Sequence, residues 1–214
     1  MKHYWVVLLL TFGLAACNDD NKDQQNTDIT QNLAPDLSQG TYSVSLETSN
    51  ELPMTGKYYS GSDGNRLLIM NNDEDRAAIV MSYDAKSKTW QTNQNSPVPI
   101  NFAHIDQITD QAVDIGSLAE NYILSFPSDQ SIQLEITSSG EIHSKEKNCS
   151  FAGTITKSQM NNVINYQIQN NTCDVLKNNT KGYLVIDEDL SPASFRLVSS
   201  IAGSQDGWAF ISGT

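Results

Sequence analysis

The chain has 214 residues, with 25 Asp or Glu against 13 Lys or Arg, for a net charge of -12. So acidic a surface excludes nucleic acid and anionic lipid surfaces as natural partners, because both require a basic face. Hydrophobic residues make up 38% of the chain and run throughout its body, which excludes wholesale disorder and suits one ordinary domain or two small ones.

Met1-Lys2-His3 is a short basic start, and Tyr4 to Leu14 is an apolar run. At about eleven residues that run is shorter than the roughly 20 a membrane-spanning helix needs. It has instead the length of a signal-peptide core. It closes on Leu14-Ala15-Ala16-Cys17: an aliphatic residue, two small ones and a cysteine. The segment thereby resembles the signal peptides of bacterial lipoproteins, and it matches every position of their lipobox. The resemblance implies that residues 1–16 are removed and that the Cys17 thiol receives diacylglycerol with palmitate-type chains. The mature protein would then be a lipoprotein of the cell envelope. Asn18 follows the cysteine, where an aspartate is associated with inner-membrane retention, so the expected address is the outer membrane, facing the periplasm or the cell surface. With Cys17 lipidated, Cys149 and Cys173 remain as an even pair in an exported chain and are expected to form a disulfide.

Residues 17–36 form the next unit. Asn18 to Asp36 holds only Ile29, Leu33 and Ala34 as aliphatic residues, too few to offset the entropy of ordering. It reads as a flexible acidic tether, with a β-rich body over 37–214. The alternative is that Ile29 and Leu33 dock on the edge of a sheet.

From Leu37 onward short alternating runs are punctuated by Gly, Asn, Asp and Ser, the pattern of antiparallel strands. Tyr42, Val44 and Leu46 alternate, and Tyr58-Tyr59 precedes the turn sequence Gly61-Ser62-Asp63-Gly64. Ala77, Ile79, Met81 and Tyr83 share one face and Ala78 and Val80 the other, so this strand is expected to be covered on both sides. Val98, Ile100 and Phe102 read as an edge strand past two prolines. Ile105, Ile108, Ala112 and Ile115 fall at helical spacing, which leaves room for one short helix.

The second half repeats the β pattern through Ile132/Leu134/Ile136, Phe151/Ile155, Ile164/Tyr166/Ile168, Tyr183 to Ile186, Phe195/Leu197 and Trp208 to Ile211. About a dozen short strands give an all-β fold, an antiparallel β-sandwich or barrel. Each half holds enough strands for its own small lobe, with a boundary near 127–130. A hairpin centred on Asn161 would set Cys149 opposite Cys173, but it also sets Ile155 against Gln167. A one-residue register shift or a bridge outside the ladder resolves that conflict.

Motifs for chemistry are sparse. His104 and His143 read as single solvated histidines, and no metal or cofactor is expected. Asn71-Asn72-Asp73-Glu74-Asp75-Arg76 starts like a calcium loop but has Arg76 at the glycine position and Ser82 where the bidentate glutamate belongs, so it reads as a hairpin turn, as does Asp187-Glu188-Asp189. Serines near glycines at 61–64 and 203–207 lack the nucleophile-elbow pattern. Trp90 and Trp208 are the candidate ligand platforms, against the alternative that each fills the core. The expected function is a non-enzymatic binding or assembly role for a membrane-anchored lipoprotein, with an envelope protein or glycan as partner. The competing expectation is an envelope hydrolase whose carboxylates are assembled across strands.

Overall fold

The structure, a computed structural model, describes residues 29–46, 53–176, 180–201 and 206–213; Cys17 and the expected signal peptide lie outside the described residues. The described chain is all-β. Six strands come first: β1 (Gly40–Leu46), β2 (Met54–Ser60), β3 (Arg66–Asn71), β4 (Ala77–Asp84), β5 (Thr89–Thr92) and β6 (His104–Ile108). They form an antiparallel sheet in the order β5-β4-β3-β2-β1-β6. The expected turns join them. Asn72 Oδ1 accepts the N–H groups of Glu74 and Arg76 between β3 and β4, so the acidic run is the turn of the β3–β4 hairpin.

Alternation along these strands makes two apolar faces. One carries Tyr42, Val44, Tyr58, Leu68, Met70, Met81 and Trp90, and the other Tyr59, Leu67, Ile69 and Val80. β4 is therefore covered on both sides, as its pattern predicts. A register shift between Met70 and Asn71 turns Ala77 to the second face, away from Ile79.

The first face is closed by the segment before β1, and this corrects the expected start of the body at Leu37. Leu33 and Ala34 are 1% and 3% exposed. Ile29 exchanges backbone hydrogen bonds of 3.0 and 2.7 Å with Trp90, and Ile100 N–H donates to Leu33 O. Farther along, the Tyr58 hydroxyl donates to Pro35 O (2.8 Å), Arg66 pairs with Asp36 (2.6 Å) and Ser60 Oγ donates to Leu37 O. Residues 29–37 are thus a strap over the sheet, and Ile29 covers the β5 edge as the docking alternative requires. Val98, Ile100 and Phe102 form no strand. Ile100 is buried and Phe102 packs beside it, both in an extended loop leading to β6.

The second unit is a closed antiparallel barrel of β7 (Glu120–Ser125), β8 (Ser131–Ile136), β9 (Glu141–Glu146), β10 (Cys149–Lys157), β11 (Val163–Gln169), β12 (Lys181–Val185), β13 (Phe195–Val198) and β14 (Gly207–Ile211). Pairing of β14 with β7 closes it, Trp208 opposite Ser125. Eight strands enclose just enough room for side chains to fill, and here Tyr122, Leu124, Leu134, Phe151, Tyr166, Ile168, Phe195 and Leu197 fill it. Gly182 is needed at the wall, since a Cβ there would sit 2.2 Å from Val198 O.

One expectation changes in this half, and two open alternatives are decided. The lobe boundary falls between β6 and β7 rather than at 127–130, which is the β7–β8 turn. The helical spacing at 105–115 resolves into β6 and a 3-10 turn, Ile115–Leu118; among the described residues no α-helix is present. In the β10–β11 hairpin Ile155 faces Tyr166 and not Gln167. The Cys149–Cys173 disulfide forms just outside that ladder, whose last pair is Ala152 with Gln169, so both proposed resolutions of the register conflict apply.

Sheet and barrel meet through a shared apolar layer. Tyr59, Leu67, Ile69 and Val80 pack on Met160, Val163, Val185 and Val198 of the barrel's outer wall. Polar ties surround that layer: Thr41 to Asn162, Ser82 to Ser200 (2.8 Å) and Ser62 to Gln159. The two lobes are therefore one packed body with polar edges along the seam.

Candidate functional site

Along one stretch of that seam the layers part and leave a cleft of about 250 Å³. Its floor follows from strand alternation: Tyr59, Ile69 and Val185 continue the apolar layer, with Leu190 beside them. The same inward-facing positions one or two pairs toward the strand ends are polar, so Ser43, Thr55, Lys57 and Asn71 form the sheet side of the rim. The barrel contributes Asp187, Asp189, Arg196 and Trp208.

Two charge clusters hold the walls. Lys57 Nζ lies 2.7 Å from Asp189 Oδ2 and 3.4 Å from Asp187 Oδ2. Asp187 and Asp189 reach it because the acidic run after β12 winds into a 3-10 turn, Glu188–Leu190, capped by Asp187. Burial works against the Lys57 charge, but the hydrogen bond to Asp189 and the charges of Asp187 and Asp189 outweigh it and raise its pKa above that of an ordinary lysine. The ammonium is therefore held protonated and serves as neither base nor nucleophile near neutral pH. Burial, with Asp187 close by, also pushes the Tyr59 phenol well above its usual range.

The second cluster is a buried fork. Arg196 Nε and Nη2 donate to the two oxygens of Asp206 at 2.7 Å each, and Nη1 donates to Asn71 Oδ1. Asp206 Oδ2 also accepts the N–H of Ala77, so a single carboxylate joins barrel and sheet. The guanidinium carbons of Arg76 and Arg196 sit 5.0 and 5.8 Å from the Trp208 ring centroid, a cation–π arrangement. Trp208 Nε1 and Arg76 Nη1 are buried without a hydrogen-bond partner among the described residues.

Of the two expected platforms, only Trp208 lies at the cleft. Trp90 is 1% exposed and belongs to the sheet core against Tyr83, which removes it as a platform. His104 and His143 stand apart from the cleft, paired with Asp106 and Glu135, and no group of metal-ligating side chains is present among the described residues. Lys57, Arg196 and Asp206 carry no local motif, and only their assembly across the seam marks them. No family model, curated protein or solved structure matches this chain.

Proposed function

We propose that this protein is an envelope lipoprotein, anchored to the outer membrane through lipid on Cys17 and facing the periplasm or the cell surface. In this reading its all-β body binds or assembles with another envelope component at the Trp208 cleft. The observation that carries the binding role is the pairing of two of the three carboxylates that line the cleft: Asp187 and Asp189 converge on Lys57, Asp206 behind the wall is engaged by Arg196, and Asp75 alone among the lining acids stands outside these pairs. A glycan hydrolase needs two carboxyl groups flanking the scissile bond, one to protonate and one to attack or activate water. Carboxylates tied to a common ammonium are arranged for shape and charge recognition instead.

Purification of the intact protein from envelopes after mild crosslinking tests the reading. Acyl mass on Cys17 and a recurrent partner crosslinked to the cleft rim are the expected results. Thr55→Arg, at an exposed rim position, should remove that partner while leaving acylation unchanged. An unmodified N-terminus other than Cys17 would refute the anchoring. Turnover of an envelope glycan or peptide that disappears in Asp187→Asn would replace binding with hydrolysis.

A further inference from the structure

A second groove runs elsewhere along the seam, between β4–β5 and the outer wall of β10–β12. Its main part has a volume of about 440 Å³. It continues into a neighbouring part of about 200 Å³, with Asp84, Gln91, Asn165 and Tyr183 common to both. The register of the barrel places two rows of outward side chains on its floor: Thr154, Gln167 and Lys181 in one, Thr156, Asn165 and Tyr183 in the next. Such rows are spaced at about 5 Å across strands and about 7 Å along them, which gives a regular grid of hydroxyl, amide and ammonium groups.

The side chains of Thr154, Thr156, Gln167 and Lys181 make no hydrogen bond or ion pair among the described residues. A polar grid left open beneath a facing wall is suited to a ligand that is itself dense in donors and acceptors. Three ligand classes can be compared on that basis. An extended peptide adds to a sheet through an unpaired strand edge, but β10, β11 and β12 are each paired on both sides within the closed barrel. Nucleic acid needs an excess of positive charge, whereas Lys157 and Lys181 are balanced across the groove by Asp63 and Asp84. A glycan meets the site on its own terms. Each sugar hydroxyl both donates and accepts, as threonine hydroxyls and the amides of Asn165 and Gln167 do, and the half-buried Tyr183 ring offers a surface for the C–H face of a sugar.

We propose that this groove is a glycan-binding site for a linear, uncharged or N-acetylated oligosaccharide. The inference is independent of lipid anchoring and of the Trp208 cleft. It can be tested by NMR titration of the soluble mature chain, with Cys17→Ser, against cellohexaose and chitohexaose. At least one of the two should shift the side-chain amide signals of Asn165 and Gln167 and the backbone signals of Thr154 and Lys181. The Gln167→Ala/Lys181→Ala variant should weaken binding about tenfold, since each lost hydrogen bond costs on the order of threefold to tenfold. Both substitutions lie on the outer wall, so the melting temperature serves as the control and should not move. Absence of shifts with both oligosaccharides at millimolar concentration overturns the proposal. Shifts confined to the Trp208 cleft, or binding that the double variant leaves intact, overturn it as well.

Discussion

Leu33 lies in a polar segment, yet it is 1% exposed and packs into the first core of the sheet. Leu33→Ala removes its buried methyl groups and leaves a cavity that the sheet, held on its other face by the barrel, cannot fully close. Substitutions of this kind cost about 2–5 kcal/mol. For a body of this size each kcal/mol lowers the melting temperature by roughly 2–4 °C, so a mid-range loss of about 3 kcal/mol corresponds to a fall of about 6–12 °C. A truncation beginning at Leu37 should lose more. It also deprives the Tyr58 hydroxyl of Pro35 O and strips Ile29 from the β5 edge, and an unpaired edge invites aggregation. Circular dichroism melts of the mature chain with Cys17→Ser, of the same chain with Leu33→Ala, and of the truncation make the comparison. A melting temperature for Leu33→Ala within about 1 °C of its parent, well inside the expected fall, would refute the strap as part of the fold.

Three further outcomes are expected. Arg196→Met leaves the Asp206 carboxylate buried without its cation and should cost about 3–5 kcal/mol; in a urea double-mutant cycle with Asp206→Asn, a coupling near zero would show that the two side chains do not act as a buried pair. Reduction of Cys149–Cys173, which closes a loop with a sequence separation of 24, should cost about 3 kcal/mol on the chain-entropy account, read as the shift in urea midpoint with and without reductant. Stability should also fall in alkali, because burial raises the Tyr58 phenol to about 12 while the unfolded chain loses that proton near pH 10. Between those values the folded state holds the extra proton, so up to about 3 kcal/mol is lost as pH rises, and the raised pKa of Lys57 acts in the same direction. Tyr58→Phe should flatten this slope, and an unchanged slope would count against the assignment.

What can be read from the residues is local. Alternation in Tyr42/Val44/Leu46, in β4 and in Ile164/Tyr166/Ile168 marks strands that the structure contains, because each buries a face and its period survives. β6 misleads because it is an exposed edge: His104, Ile105, Asp106 and Gln107 all face solvent, so no burial period constrains them and chance spacing of isoleucines suggests a helix. The strap is hard to see for the opposite reason. Ile29, Leu33 and Ala34 are too few to form a core but suffice to cover one that β1–β5 have already assembled. The cleft is least legible of all, since Lys57 and its partners Asp187 and Asp189 are separated by more than half the chain. The Asp187-Glu188-Asp189 turn is recognisable in the sequence, but its partner is not.

The packing of the two lobes explains why both candidate sites lie on the seam. The barrel interior is filled by its own side chains, and the sheet is buried under the strap on one face and against the barrel on the other. Space for these two sites therefore opens where the apolar layer between sheet and barrel ends, while a further hollow of about 360 Å³ lies on the barrel alone, against β7–β9. Each site takes one wall from each lobe, so its shape depends on how firmly the lobes are joined. Asp206 bears directly on the Trp208 cleft: it receives Arg196 from the barrel and Ala77 N–H from the sheet. Asp206→Asn should consequently loosen partner capture at that cleft even under conditions where the protein stays folded. The glycan groove, joined separately through Ser82 and Ser200, should retain its affinity in the same variant. Equal losses at both sites would mean that the lobes respond as one rigid unit rather than through local ties.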